Sequence, residues 1–226
     1  AFSAEQIHNL FMEKIVTQFD VAICETVTRS RSQIFDHASE AMNTVMANYE
    51  GARKAAGREG KFSMRVIDSK QIFAGQGLLA AHTLRLINQK VSKNALRHEV
   101  ETFTDKIYTC VIPRDLHYIR ERARRRGDKS VSAMAAFMGK VLNINPVIFG
   151  QGVEGKPVAK TRDFNVAVEK VMNYAIGRLE AGLLTPYVSL SCGLSWTEIE
   201  ELPGLNRLRD ACEKHGVELL LSQMGI

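Results

Sequence analysis

The chain has 226 residues, of which 45% are hydrophobic and 24% are charged. These values are typical of globular proteins, and the length is sufficient for two modest domains. No apolar run approaches the roughly 18 residues of a membrane-spanning helix, so we expect no integral membrane association. The N-terminal residues have no basic stretch followed by an apolar core, as a secretory signal would. We therefore predict a cytoplasmic protein.

The cysteines and histidines are dispersed along the chain. The four cysteines are Cys24, Cys110, Cys192 and Cys212, and no two of them form a CxxC pair. A disulfide scaffold or a zinc site would need clustered ligands, and no HExxH spacing occurs either. We predict reduced, buried thiols, no metal and no cofactor.

The net charge of +5 is concentrated in one run, RERARRRGDK, at residues 120–129. Such a run is compatible with a solvated helix end, with a docking surface for an acidic partner, or with nucleic-acid binding. It has no interleaved aromatic residues and matches no helix-turn-helix or RNA-recognition signature. We favour the solvated helix end and predict no nucleic-acid partner.

Helical and strand-like apolar spacing alternate over the first 91 residues. The pattern predicts helices over 5–15, 32–49 and 74–90 and strands over 19–27 and 64–68, with Ser30 or Ser32 as N-cap of the second helix. Alternation of this kind is typical of a parallel α/β domain, which we place at residues 1–91.

The second part, residues 92–226, has strands and helices in a less regular order. We predict helices over 95–104, 114–126, 132–142, 164–181 and 205–215, and strands over 108–113, 145–150, 155–162, 186–192 and 217–225. This order favours a smaller α+β domain with a mixed sheet.

The segment GQGLLA, residues 75–80, fits the glycine pattern of a dinucleotide-binding turn. That turn must follow its strand directly, whereas six residues separate the strand that ends at Asp68 from Gly75. We therefore interpret the glycines as the small face of a helix packed on a sheet. No GxSxG motif with suitable partners occurs, so we assign no catalytic residue.

Three hydroxyl residues, Thr28, Ser30 and Ser32, lie where a predicted strand leads into a helix N-terminus. Unpaired backbone N–H groups and the positive end of the helix dipole meet there. The hydroxyls could simply cap the helix, or they could hold a carboxylate or phosphate, with Arg29 and Arg31 favouring an anion. Both interpretations stay open on the residues alone.

Four stretches of the chain resemble segments of the DegV family of bacterial fatty-acid-binding proteins. The stretch FDVAICETVTRSRSQIFDHAS resembles the family's strand followed by a serine-rich SxxSGTYxSA run, and VIDSKQIFAGQGLLA resembles its VIDS segment with a glycine-containing helix. VIPRDLHYIRER and GKVLNINPVIFGQGVEGKPVAKTRD are similar to two later family segments. The four occur in the family's order at compatible separations.

The resemblance implies a two-domain DegV-like α/β fold that binds one long-chain fatty acid in an internal apolar tunnel. It implies a carrier and not an enzyme, which presents the carboxylate to a separate fatty-acid kinase related to dihydroxyacetone kinases. Ser32 matches the serine of the SGT turn, Thr28 the first hydroxyl of the run, and Arg162 the arginine after the proline strand. With Ser30, these residues form the predicted carboxylate site.

The chain also departs from the family pattern. Gln33 and Ile34 replace the glycine and threonine of SGT, and ARRRGDKSV replaces a shorter GGRI turn. The family's TSxPS and HTGPG motifs would fall before residue 1 and after Ile226, so we expect a protein that extends beyond both ends or a shortened member. Two alternatives remain: an enzyme acting on a phosphorylated or acyl substrate, and a regulatory protein that binds through residues 120–129.

Overall fold

A computed structural model describes residues 2–114, 144–151 and 154–225, apart from the side chain of Glu154. The helices predicted over 114–126 and 132–142 lie outside these ranges except for Arg114. The basic run at 120–129 lies outside them entirely.

The chain forms two compact units. The first comprises residues 1–72 and 83–105, and the second comprises 73–82 and 106–226. The predicted boundary between residues 91 and 92 falls inside the first unit, because the helix that follows it packs on a strand of that unit. The compact units reflect contacts within the folded chain and not independent folding, so the division into domains at this boundary stays a prediction.

The first unit begins with a capped helix. Ser3 and Gln6 exchange backbone and side-chain hydrogen bonds, which satisfy two N–H groups at the start of α1, Ala4–Leu10. A π-helix, Phe11–Val16, continues α1 and leads to strand β1, Val21–Thr26. The predicted helix over 5–15 is thus present, although its second half has the wider π geometry that the apolar spacing does not reveal.

Strand β1 pairs in parallel with β2, Ser63–Asp68, and the long helix α2, Ile34–Ala55, connects them. Residues Ala22, Cys24, Met64 and Val66 alternate along the two strands and pack against the buried face of α2, which carries Ala38, Ala41 and Val45. The predicted parallel α/β arrangement is confirmed, since the connection between the strands is helical.

Helices α3, Ala74–Asn88, and α4, Lys93–Phe103, follow β2, and a 3-10 turn, Thr104–Lys106, ends this part of the chain. The division between the two units falls within α3. Leu96, Val100 and Phe103 are buried on one side of α4, which packs on β2.

The second unit contains an antiparallel sheet and a parallel pair. Strands β3, Tyr108–Val111, β4, Asn145–Gln151, and β5, Glu154–Thr161, form the antiparallel sheet in that order. Strands β6, Tyr187–Cys192, and β7, Glu218–Gln223, form the parallel pair. Among the described residues of the second unit, parallel and antiparallel pairing are therefore both present, in two sheets.

Three helices complete the described part of the second unit: α5, Phe164–Glu180, α6, Trp196–Glu200, and α7, Leu205–Lys214. Apolar residues of β6 and β7 pack against α5 and α7 around Met172 and Leu208. Gly204, at the N-cap of α7, has φ of 85°, and a Cβ there would lie 3.0 Å from Met172 Cβ. Only glycine suits both the angle and the space.

Arg53 is the largest polar side chain buried in the first unit, with 2% of its surface exposed. Its guanidinium donates one bond to the carboxylate of Asp20 at 2.6 Å and four to backbone carbonyls. The carbonyls belong to Val16, Phe19, Glu59 and Gly60. Arg53 thereby fixes the end of the π-helix and the loop after α2 around the start of β1.

We predict that Arg53→Met destabilises the protein by about 1–3 kcal/mol, because it leaves the buried Val16 carbonyl and three part-buried carbonyls without their donor. Arg58 is the matched control: it also contacts Asp20, at 2.8 Å, but from a side chain that is 35% exposed. Arg58→Met should move the urea midpoint far less. Equal shifts for the two variants, measured by circular dichroism, would show that Arg53 acts only as an ion-pair partner.

Candidate functional site

The carboxyl ends of β1 and β2 lie side by side, because the strands are parallel and Thr26 pairs with Asp68. Two loops leave this edge, residues 27–33 after β1 and 69–73 after β2. Ligands of parallel α/β sheets bind outside the carboxyl ends of the strands. The hydroxyl residues predicted from the sequence fall on the first of these loops.

We call residues 28–31 the hydroxyl turn. The Arg31 N–H donates to the Thr28 carbonyl at 3.0 Å, which closes the turn. Thr28 is only 3% exposed, whereas Ser30 is exposed. Their side-chain oxygens lie 3.2 Å apart, within hydrogen-bonding distance. The structure therefore brings together a buried and an accessible hydroxyl.

Ser32 follows the hydroxyl turn and is half-buried. Its Oγ accepts a hydrogen bond from the Ile34 N–H at 3.2 Å, so the oxygen is held in place and the hydroxyl hydrogen remains able to donate. The predicted N-cap at Ser30 or Ser32 is wrong in position. The N-cap is Gln33, whose side chain makes no capping bond, and Ser32 satisfies the first helical N–H from one residue further upstream.

Residues of the second loop hold the hydroxyl turn in place. The Thr28 N–H donates to the Gln71 carbonyl at 3.0 Å, and the Arg29 N–H donates to Asp68 Oδ1 at 3.2 Å. Asp68 Oδ1 also accepts from the Lys70 N–H at 2.9 Å. The Asp68 carboxylate therefore links both loops at the carboxyl edge.

The second loop contains buried polar residues that were not among the predicted site residues. Ser69 is fully buried and Gln71 is 2% exposed. Ser69 Oγ donates to the Gln71 carbonyl at 3.3 Å and accepts from the Gln71 N–H at 3.1 Å. Asp68 and Ser69 belong to the VIDS segment on which the family resemblance rests, so that motif was the available signal for them.

Charges beside the hydroxyl turn are partly compensated. Arg29 Nη2 lies 2.8 Å from Asp36 Oδ1, and its guanidinium stacks on Phe35. Arg29 therefore contributes less positive field than the sequence predicts.

On β1, burial raises the pKa of the Glu25 carboxyl, an effect that the hydrogen bond from Thr83 Oγ1 partly opposes.

Arg162, the fourth predicted site residue, belongs to the second unit. It is exposed, follows β5 and precedes Asp163, the N-cap of α5. Its carbonyl accepts a bond from Asn145 Nδ2 at 3.4 Å. The structure thus groups Thr28, Ser30 and Ser32 in the first unit, and a role for Arg162 beside them remains a prediction.

A pocket of about 320 Å³ lies at the C-terminal end of α2. Its lining is rich in charged residues, including Glu50, Arg53 and Lys61, which is unsuitable chemistry for an acyl chain. In the part of the chain that the structure describes, no cluster of three or more His, Cys, Asp or Glu side chains could hold a metal ion. None of the described helices is long and apolar enough to cross a membrane.

Comparison with known proteins decides the family. The model of the DegV family of uncharacterised proteins matches residues 1–225. The chain belongs to the DegV family. A DegV domain-containing protein of Xanthomonas axonopodis pv. citri is 40% identical over 225 residues, which are 100% of this chain and 72% of the relative. A DegV domain-containing protein of Xanthomonas campestris pv. campestris is 39% identical with the same coverage.

Solved DegV structures share the fold at low identity. A stearic acid-binding protein of Eubacterium ventriosum is 20% identical with a TM-score of 0.74, and the match covers 93% of this chain and 66% of that one. A DegV family protein of Eubacterium eligens loaded with heptadecanoic acid is 15% identical with a TM-score of 0.69, covering 99% and 71%. DegV of Bacillus subtilis, described as a fatty acid binding protein, is 19% identical with a TM-score of 0.69, covering 97% and 69%.

These comparisons confirm the predicted DegV resemblance and the α/β fold class. Within this DegV chain, the SKQIFA stretch separates β2 from the glycines as expected, and Gly75 and Gly77 lie inside α3. A Cβ on Gly77 would lie 3.6 Å from Ser189 Oγ of β6. The structure therefore agrees with a small helix face packed on a sheet, not with a dinucleotide turn.

Proposed function

We propose that this DegV protein binds one long-chain fatty acid, with its carboxylate at Thr28, Ser30 and Ser32 and its acyl chain in the apolar interior. The observation that carries the proposal is the group of hydroxyls fixed at the carboxyl edge of the parallel strands. Solved DegV structures described as binding stearic or heptadecanoic acid support it. The cytoplasm is the proposed location.

The three hydroxyls of Thr28, Ser30 and Ser32 suit the carboxylate head group of a fatty acid. A desolvated carboxylate is costly unless it accepts hydrogen bonds, and hydroxyl donors to an ionised acceptor form strong, short bonds. Thr28 and Ser30, with oxygens 3.2 Å apart, could each donate to a carboxylate oxygen in place of their mutual bond. Ser32 would donate a third bond while its oxygen stays held by Ile34.

The acyl chain would supply most of the affinity. Burial of each methylene contributes about 0.8 kcal/mol, so a long chain gains far more than the head group. The head group then determines which end of the ligand faces the hydroxyl turn. This division of roles suits a carrier, which must hold its cargo firmly and in one orientation.

Gln33 in place of the family's glycine is compatible with this site. Its φ of −76° and ψ of 0° are open to any residue, so the backbone at this position does not require glycine. The Gln33 side chain is exposed. The substitution therefore need not alter the path of the chain between Ser32 and α2.

We further propose that Arg162 contributes to the carboxylate site and that the loaded protein presents its fatty acid to a kinase related to dihydroxyacetone kinases. Arg162 fits this role by charge, since a guanidinium favours the ionised carboxylate. The kinase partner is supported by the family resemblance and by the absence of a catalytic assignment in the sequence. In this scheme the DegV protein is a carrier subunit and not itself an enzyme.

We predict that Ser32→Ala weakens stearate binding by about 10- to 150-fold, because a hydrogen bond to a charged group contributes about 1.5–3 kcal/mol. Stearyl alcohol, which has the same chain without a carboxylate, should lose much less. Isothermal titration of delipidated protein with each ligand measures both changes.

The matched control for Ser32 is Ser39→Ala. Ser39 lies on α2, and its Oγ donates to the Phe35 carbonyl at 2.7 Å. It should leave both affinities unchanged. If Ser32→Ala and Ser39→Ala bound stearate equally well, Ser32 would not contact the head group.

For the kinase, we predict that stearate-loaded protein, ATP and the fatty-acid kinase of the same organism yield an acyl phosphate. Trapping with hydroxylamine measures the product. The DegV protein with ATP alone should give none, because it would supply cargo and not phosphoryl transfer. A kinase that phosphorylated free stearate equally fast without the DegV protein would contradict the carrier role.

A further inference from the structure

Three chain segments of the first unit meet at Gln71. Its carbonyl accepts the Thr28 N–H at 3.0 Å, which anchors the hydroxyl turn. The same carbonyl accepts from Ser69 Oγ at 3.3 Å. On the other side, Gln71 Nε2 donates to the carbonyl of Thr104, directly after α4, at 3.0 Å. The side chain of Gln71 thus connects the end of α4 to the loop that holds the hydroxyl turn.

The bonds of Gln71 are buried. Thr28, Gln71 and Thr104 are exposed by 3%, 2% and 1% respectively. A buried amide that loses its acceptor cannot form a hydrogen bond to water instead. Any position of the Gln71 side chain that breaks the bond to Thr104 therefore costs free energy. This makes the position of the Gln71 carbonyl, and with it that of Thr28, depend on the side-chain amide.

The residue before Gln71 is held in an unusual conformation. Lys70 has φ of 54°, in the left-handed region that residues other than glycine seldom adopt. Its N–H donates to Asp68 Oδ1 at 2.9 Å, and its Nζ lies 2.7 Å from both carboxylate oxygens of Asp105. Both sides of the loop are therefore attached to the end of α4, by Lys70–Asp105 at the surface and by Gln71–Thr104 inside.

We propose that Gln71 is a positioning residue for the carboxylate site, which acts through the backbone of Thr28 and does not contact the ligand. This inference rests on the proposed fatty-acid function. Without the Gln71–Thr104 bond, the loop can shift, and the Thr28 and Ser30 hydroxyls no longer hold one arrangement for the head group. The acyl chain, which needs no directional bonds, is affected little.

The test uses Gln71→Met, which keeps the length of the side chain and removes the amide donor. Delipidated wild-type and variant proteins are titrated with stearate and with stearyl alcohol. We expect Gln71→Met to weaken stearate binding by about fivefold, the change that corresponds to one neutral hydrogen bond, and to leave stearyl alcohol binding nearly unchanged. If this variant does not fold, Gln71→Asn, whose shorter amide cannot reach Thr104, takes its place.

Val45→Ala is the matched control for general loss of stability. Val45 is fully buried in α2 of the same unit, in a hydrophobic cluster that includes no residue of either loop of the carboxyl edge. It should change the affinities for stearate and stearyl alcohol by the same factor.

Each outcome of the titration is decisive. Wild-type protein that binds no stearate would overturn the proposed function, and the role of Gln71 with it. If wild-type binds stearate and Gln71→Met binds it equally well, only the positioning role falls. An equal loss for stearate and stearyl alcohol, like that of Val45→Ala, would show that Gln71 supports the fold and not the head-group site.

Discussion

The candidate site depends on the parallel pairing of β1 with β2. Because Thr26 lies opposite Asp68 at the end of both strands, the loop of residues 27–33 after β1 and the loop of residues 69–73 after β2 leave the same edge. The side chain of Asp68 and the carbonyl of Gln71 can then bind the backbone of the hydroxyl turn directly. Antiparallel pairing would place the two loops at opposite ends of the strands.

Buried polar groups give this edge its single arrangement. Ser69, Gln71 and Thr104 are almost fully buried, and each makes hydrogen bonds to loop or helix-end backbone. Such groups contribute modestly to stability when satisfied, but they are costly when left unpaired, so alternative loop positions are disfavoured. A site that must orient a carboxylate benefits from this rigidity, since flexible hydroxyls would lose entropy on binding. Arg53 plays the corresponding role at the opposite end of β1.

The sequence predicted the order of helices and strands well, because long apolar spacings such as Ala38–Ala41–Val45 depend only on local periodicity. The apolar spacing did not reveal the π-helix, because its apolar positions also fit an α-helix. The short helix α6 was not predicted either, although Ser195 and Glu198 form the S-x-x-E pattern of a capping box. The hydroxyls at Thr28, Ser30 and Ser32 were predictable from their place between strand and helix. Gln71 was not, because its importance arises from contacts with Thr28 and Thr104, which are distant in the chain, and apolar periodicity carries no information on such contacts.

The central claim is that this DegV chain carries one fatty acid, and the most direct measurement is of the lipid that the purified protein retains. The protein is expressed in several hosts, purified without added lipid and extracted with organic solvent, and the extract is quantified by mass spectrometry against protein concentration. We expect close to one long-chain fatty acid per chain. Empty extracts from every host, together with no uptake of stearate by the same preparations, would contradict it.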